Sequence, residues 1–304
     1  MKRQDFLKNS LLAGGAILFN PAFSTSHETK ERNESFTMKF SPDFGLFDEV
    51  AGKDPVDQIK WGYDQGFRAW ESTGLRRRSV TEQERISKTI QRLGMEFGQF
   101  VGTMSFEEVT FAGRNETIRE RVLSEVKESV EIAKRMNTKY IHNVLGRADP
   151  NLQWDFQMAN AIELLKQIAD IYEQHEMVMV MEPMNHKINH PGMFLHTIPQ
   201  AYAMAKAVDS QCVKIICDIY HVQIQEGNLI PTIDYAWDEI AYFQLGDTPG
   251  RNEPGTGEIN YKNLLQHIYD KGYRGFAGLE HGLSGNGQQG VRAVVEAYRE
   301  VDPK

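Results

Sequence analysis

From Met38 onward the chain alternates between short apolar runs and longer stretches in which apolar residues recur every three or four positions. The short runs, bounded by turn-forming residues, read as buried strands, and the three-to-four spacing reads as one face of a helix. Strands are expected at 38–41, 67–71, 96–101, 139–145, 177–182, 213–218, 240–244 and 276–280. Helices are expected at 55–65, 81–93, 116–136, 155–173, 198–207, 260–271 and 288–299, with the short stretch 234–239 left open. The clearest is 116–136, where Ile118, Val122, Val126, Val130 and Ala133 share a face and Asn115 stands in the N-cap place. The strand candidates are apolar almost throughout rather than alternating, the pattern of strands covered on both faces. Eight such strands alternating with helices close most economically as a single α/β (β/α)8 barrel. An open doubly wound sheet is the other arrangement, but no Gly-x-Gly-x-x-Gly run follows any strand.

The 304 residues and 40% hydrophobic content suffice for one large core. A net charge of −8, with both signs mixed along the chain, argues against a nucleic-acid surface, which needs a concentrated basic face. Arg76, Arg77 and Arg78 form only a short basic cluster and read as a solvated loop. Cys212 and Cys217 fall five residues apart in one strand, on opposite faces and too distant for a bridge. The amino terminus is of another kind. Lys2 and Arg3 precede the apolar stretch 11–19 and then Ala22-Phe-Ser24, the order of a secretory signal. The start resembles a twin-arginine export signal with Lys2 in place of the first arginine. The domain reading is an export signal at 1–24, a polar linker at 25–36 and a barrel at 37–304. It implies an exported, periplasmic protein with no stable membrane anchor after processing; a cytoplasmic location is the alternative.

Four consecutive strands of the second half end in a polar side chain: Glu182, Asp218, Gln244 and Glu280. Each alone has an ordinary explanation. Glu182 suits a buried ion pair, Asp218 a helix cap, Gln244 a plain hydrogen bond, and Glu280 a pairing with Lys271 or Arg274. Together they place several negative charges at the carboxyl rim of one barrel, where such barrels keep their active sites. Crowded carboxylates repel unless a cation intervenes, and an all-oxygen set suits Mg²⁺ or Mn²⁺, with Co²⁺ also possible.

Glu182-Pro-Met-Asn185, Cys217-Asp-Ile-Tyr-His221 and the run 244–259, QLGDTPGRNEPGTGEI, resemble the hydroxypyruvate isomerase family, part of the wider xylose-isomerase-like TIM barrels. The resemblance covers most of the chain from Met38 and is most specific after Gln244. It implies a divalent metal held by Glu182, Asp218, Gln244 and Glu280, with Glu182 and Glu280 as the catalytic proton-transfer pair. It also implies that His221 and Arg251 contact substrate oxygens. His142 and Glu71, at the ends of their strands, are further substrate-binding candidates; His142 also suits a core position, and Glu71 a pairing with Arg68 or Arg76. The implied reaction moves a proton through an enediolate in a small hydroxy-keto substrate, hydroxypyruvate to tartronate semialdehyde. Epimerisation of a ketose or keto-sugar at carbon 3 uses the same parts. From another class, a non-catalytic metal- or sugar-binding barrel keeps the site without turnover. The related phosphodiester-cleaving barrels need more histidine ligands than this set offers. A homodimer is a reasonable expectation.

Overall fold

The computed structural model describes residues 34–304. The export signal expected at 1–24 and most of the linker expected at 25–36 lie outside the described residues.

β1 (Lys39–Pro42) leads through α1 (Asp48–Ala51) into α2 (Pro55–Asp64). The strand–helix unit then repeats as β2 (Ala69–Ser72) and α3 (Val80–Arg92), β3 (Glu96–Thr103) and α4 (Glu116–Met136), and β4 (Tyr140–Asn143) and α5 (Trp154–Glu173). β5 (Val178–Met181) is followed by α6 (Ile198–Val208), and β6 (Val213–Asp218) by two short helices, α7 (Ile219–Gln225) and α8 (Leu229–Ala236). β7 (Ile240–Leu245) precedes α9 (Tyr261–Asp270), and β8 (Phe276–Leu279) precedes α10 (Gly287–Val301). All strand pairs are parallel, in the order β1-β8-β7-β6-β5-β4-β3-β2, and β1 also lies against β2, which closes the barrel.

Local chemistry sets these boundaries. Asn115 accepts a hydrogen bond from the Ile118 amide at 3.2 Å and so starts α4, and Asn137 ends it in the left-handed region at φ 54°. Ser79 caps α3 in the same way through the Glu82 amide. The stretch left open at 234–239 contains the end of α8, which begins five residues earlier at Leu229. Neither α7 nor α8 is long enough to print a helical period in the sequence; α7 exists because the Asp218 carboxylate caps it through the Tyr220 amide at 2.9 Å.

Among the described residues two apolar regions hold the barrel, beside a small third cluster of Val144, Met184 and Met193. The larger lies between the strands and the helices and includes Phe40, Phe100, Val126, Leu165, Ile215 and Phe243. The smaller fills the barrel itself, where Ala69, Val180, Ile216, Tyr242 and Phe276 meet. Cys212 and Cys217 are free and buried, as their spacing requires. No helix among the described residues is long and apolar enough to cross a membrane.

Candidate metal and substrate site

Side chains two apart on a strand face the same way. Val180, Ile216 and Tyr242 fill the barrel interior, so Glu182, Asp218 and Gln244, each two residues further on, point into its carboxyl-terminal mouth. Glu280 follows β8 by one residue, and Gly278 two places before it faces the interior. His142 comes from β4, and His221 from the first turn of α7. Glu182, Asp218 and His221 offer ligand atoms that all lie within 4.8 Å of one another, a plausible tridentate metal-binding site. His221 Nε2 is 3.6 Å from Glu182 Oε1 and 3.6 Å from Asp218 Oδ2. His142 Nε2 lies 2.9 Å from Glu182 Oε2, without hydrogen-bond geometry.

Arg251 is the cation of the site. Its Nη2 lies 3.0 Å from Asp218 Oδ2 and 3.0 Å from Glu280 Oε1, while its Nε donates to the Glu280 carbonyl at 3.1 Å. Its guanidinium also stacks over the Tyr220 ring at 4.8 Å. The loop after β7 delivers it. Asp247, buried, accepts from the amides of Thr248, Gly255, Gly257 and Ile259, and this one carboxylate organises the glycine-rich stretch. Glu253, also buried, accepts from the Ser284 amide at 3.0 Å and from the Ser284 hydroxyl, tying that loop to the one after β8. Arg251 itself holds φ 51°, a conformation that the two attachments must sustain.

Burial raises the carboxyl groups: Glu182 and Asp218 to about 7, and Glu280 to about 8, with Arg251 opposing the rise in each. Burial lowers His142 to about 4 and His221 to about 2, so both rings are neutral at ordinary pH. Burial works against the Arg251 charge, but Glu280, Asp218 and Glu182 together raise its affinity for the proton.

The donor set fits a metal ion. Both carboxylate oxygens of Glu182, both amide atoms of Gln244 and Oε2 of Glu280 are buried with no hydrogen-bond partner among the described residues. Buried polar atoms are rarely left so. Oxygen donors from three carboxylates and an amide, with His221 beside them, suit a hard divalent cation.

Of the residues singled out in the sequence, Glu182, Asp218, Gln244, Glu280, His221, Arg251 and His142 converge at this mouth. Glu71 lies deeper. Its Oε2 accepts from the Tyr242 hydroxyl at 2.6 Å and its Oε1 from the Gln99 amide at 3.0 Å, and it is only 1% exposed. Neither expected arginine meets it: Arg68 donates to the Tyr63 and Phe67 carbonyls, and Arg76 to the Gly102 carbonyl and Glu128. Likewise Glu280 pairs with Arg251 rather than Lys271 or Arg274. Lys271 goes to Asp234, and Arg274 to the Tyr269 and Tyr273 carbonyls. Asp218 both caps α7 and faces the site. Sequence reasoning missed Asn185, Asp247 and Glu253. All three stand inside the quoted motifs, and an aspartate opening a Gly-Thr-Pro-rich turn is a signal for Asp247.

The family described as xylose isomerase-like TIM barrel matches residues 59–301. The hydroxypyruvate isomerase of Escherichia coli strain K12 is 32% identical over 187 residues, 62% of this chain and 70% of the relative. A Xenopus laevis relative, which carries that name provisionally, is 31% identical over 274 residues, 87% of this chain and 98% of its own. Among solved structures, the apo form of a 3-keto-D-glucoside 4-epimerase from E. coli superposes with a TM-score of 0.73 at 18% identity, covering 86% of this chain and 99% of the other. At that identity the likeness shows the fold alone.

Proposed function

The chain belongs to the xylose isomerase-like TIM barrel family, closely related to its hydroxypyruvate isomerases, and from that premise we propose that it isomerises hydroxypyruvate to tartronate semialdehyde with a divalent metal. At the coarser level it is an isomerase-type enzyme with a metal-binding site. The observation that carries the proposal is the group of buried, unpartnered atoms on Glu182, Gln244 and Glu280, held open at the barrel mouth. Glu182, Asp218, Gln244 and Glu280 would hold Mg²⁺ or Mn²⁺. When bound, such an ion polarises the carbonyl and hydroxyl oxygens of a substrate and stabilises the negative charge that develops between them.

The chain's own residues do the rest. One of the two glutamates removes the proton from the carbon next to the carbonyl, and a proton returns to the former carbonyl carbon while the hydroxyl proton moves in the same direction, to the former carbonyl oxygen. Substrate and product are therefore isomers, and no co-reactant is consumed. A carboxyl group raised toward neutrality by burial is suited to both halves of that exchange. Arg251 offers a guanidinium to the substrate carboxylate, a pairing that two parallel N–H groups make directional. His221 orients a substrate oxygen, and His142 lines the wall beside Glu182.

Epimerisation at carbon 3 of a ketose is the second reading. It is favoured by the origin of the two glutamates just after β5 and β8, on either side of Asp218 and Gln244. The test is turnover by metal-stripped protein resupplied with Mg²⁺, Mn²⁺ or Co²⁺, followed by NMR in D₂O. Metal-dependent deuterium uptake next to the carbonyl supports the reading, and product stereochemistry separates isomerase from epimerase. No exchange with hydroxypyruvate or with a panel of ketoses overturns it. Export is proposed from residues 2–24 alone and is checked by fractionating cells for the processed chain. A homodimer is proposed likewise, with sedimentation velocity as its check.

A further inference from the structure

Asn185 follows Glu182 by three residues, is fully buried, and is not part of the proposed chemistry. Its amide orientation is fixed. Oδ1 accepts from the Ile188 amide at 3.1 Å and from the Asn189 amide at 3.0 Å, so exchanging oxygen and nitrogen would set the NH2 group against two donors. Nδ2 therefore donates, to Asn189 Oδ1 at 2.8 Å and to His221 Nδ1 at 2.6 Å. The backbone N–H of Asn185 points at the same Nδ1 from 3.4 Å. A ring nitrogen that receives donors from both sides carries no hydrogen, so in a neutral imidazole the hydrogen sits on the other nitrogen. That other nitrogen, Nε2, lies between Glu182 and Asp218, 3.6 Å from each.

We propose that Asn185 is a positioning residue that fixes His221 as the Nε2–H tautomer, making His221 a hydrogen-bond donor to the substrate and not a metal ligand. A ligating histidine offers its lone pair to the metal and donates its remaining N–H to a carboxylate or carbonyl. Here the remote nitrogen accepts instead, and the nitrogen facing the carboxylates holds the hydrogen. Proximity alone places His221 with Glu182 and Asp218; the hydrogen-bond network removes it from the ligand set and leaves Gln244 and Glu280 to complete the shell. The donor then meets a substrate oxygen as charge develops there, which is where a fixed N–H contributes most to a reaction.

The proposal rests on the metal-dependent reading, yet its central claim is measurable without turnover. Long-range ¹H–¹⁵N NMR on protein labelled in histidine reports which ring nitrogen of His221 carries hydrogen, with His221→Gln supplying the assignment. The metal-free protein is expected to show hydrogen on Nε2, and to keep it there when Mg²⁺ is added. Asn185→Asp places an acceptor against Nδ1, which is expected to move the hydrogen to Nδ1 and to lower kcat about tenfold or more with a smaller change in KM. A wild-type ring with hydrogen on Nδ1, or loss of the Nε2 hydrogen on Mg²⁺ binding, overturns the proposal. So does a rearranged tautomer in Asn185→Asp with kcat unchanged. If Mg²⁺ does not bind at all while the Nε2–H tautomer is present, the functional reading fails and the positioning role of Asn185 stands.

Discussion

Glu182 and Glu280 reach the barrel mouth from opposite sides of Asp218 and Gln244, and each carries at least one buried oxygen with no partner among the described residues. Substituting either by glutamine keeps size and hydrogen-bonding capacity but removes the base. Glu182→Gln and Glu280→Gln are expected to fold with unchanged circular dichroism and to lose roughly 10²–10⁴-fold in kcat. Full activity in both would end the proposed mechanism. Arg251→Lys keeps the charge but loses the forked geometry, so KM for a carboxylate substrate is expected to rise about tenfold in steady-state assays. At this scale the sequence was informative about identity and silent about partnership. Position at the end of an apolar run placed Glu182, Asp218 and Gln244 at one rim, because that ending is visible without tertiary knowledge. Glu71 ends its run in the same way, yet whether it meets solvent, an arginine or Tyr242 depends on which strand lies across the barrel.

Among the elements, α4 was readable to the residue because five apolar positions and an asparagine cap all report the same boundary. α7 left no such trace. It spans seven residues, too few for a period, and owes its start to Asp218, whose suitability as a helix cap was its one sign in the sequence. The loop after β7 is rich in glycine, and Asp247 supplies its order by gathering four backbone amides. Asp247→Ala would leave those donors unpaired. An unsatisfied buried group costs about 1–3 kcal/mol, so thermal unfolding is expected at lower temperature and amide exchange faster across 248–259. Activity should fall with it, because Arg251 rides on this loop. Unchanged exchange in 248–259 would show that the loop is held by something else.

Across the whole molecule, burial makes the carboxylates of the mouth prefer their protons. Glu182 rises from 4.5 to about 7, Asp218 from 3.8 to about 7, and Glu280 from 4.5 to about 8, so the metal-free folded chain binds more protons than the unfolded chain between these limits. Stability from these groups is then fully present below pH 4 and is lost as pH rises through 7 to 8. A divalent ion takes the place of those protons. The rise in unfolding temperature on adding Mg²⁺ or Mn²⁺ is expected to grow from pH 6 to pH 8.5. Below neutrality, metal affinity should fall about tenfold per pH unit for each proton displaced. Calorimetry at several pH values checks both, and a metal effect independent of pH would contradict them. A methyl group at Gly278 would stand 2.4 Å from one Glu71 oxygen and 2.7 Å from the other, two strands away in the closed ring. Any larger residue at 278 therefore makes the Glu71 carboxylate give way, by leaving the Tyr242 hydroxyl and the Gln99 amide or by being shortened. The glycine thus keeps a place for a carboxylate that another strand supplies.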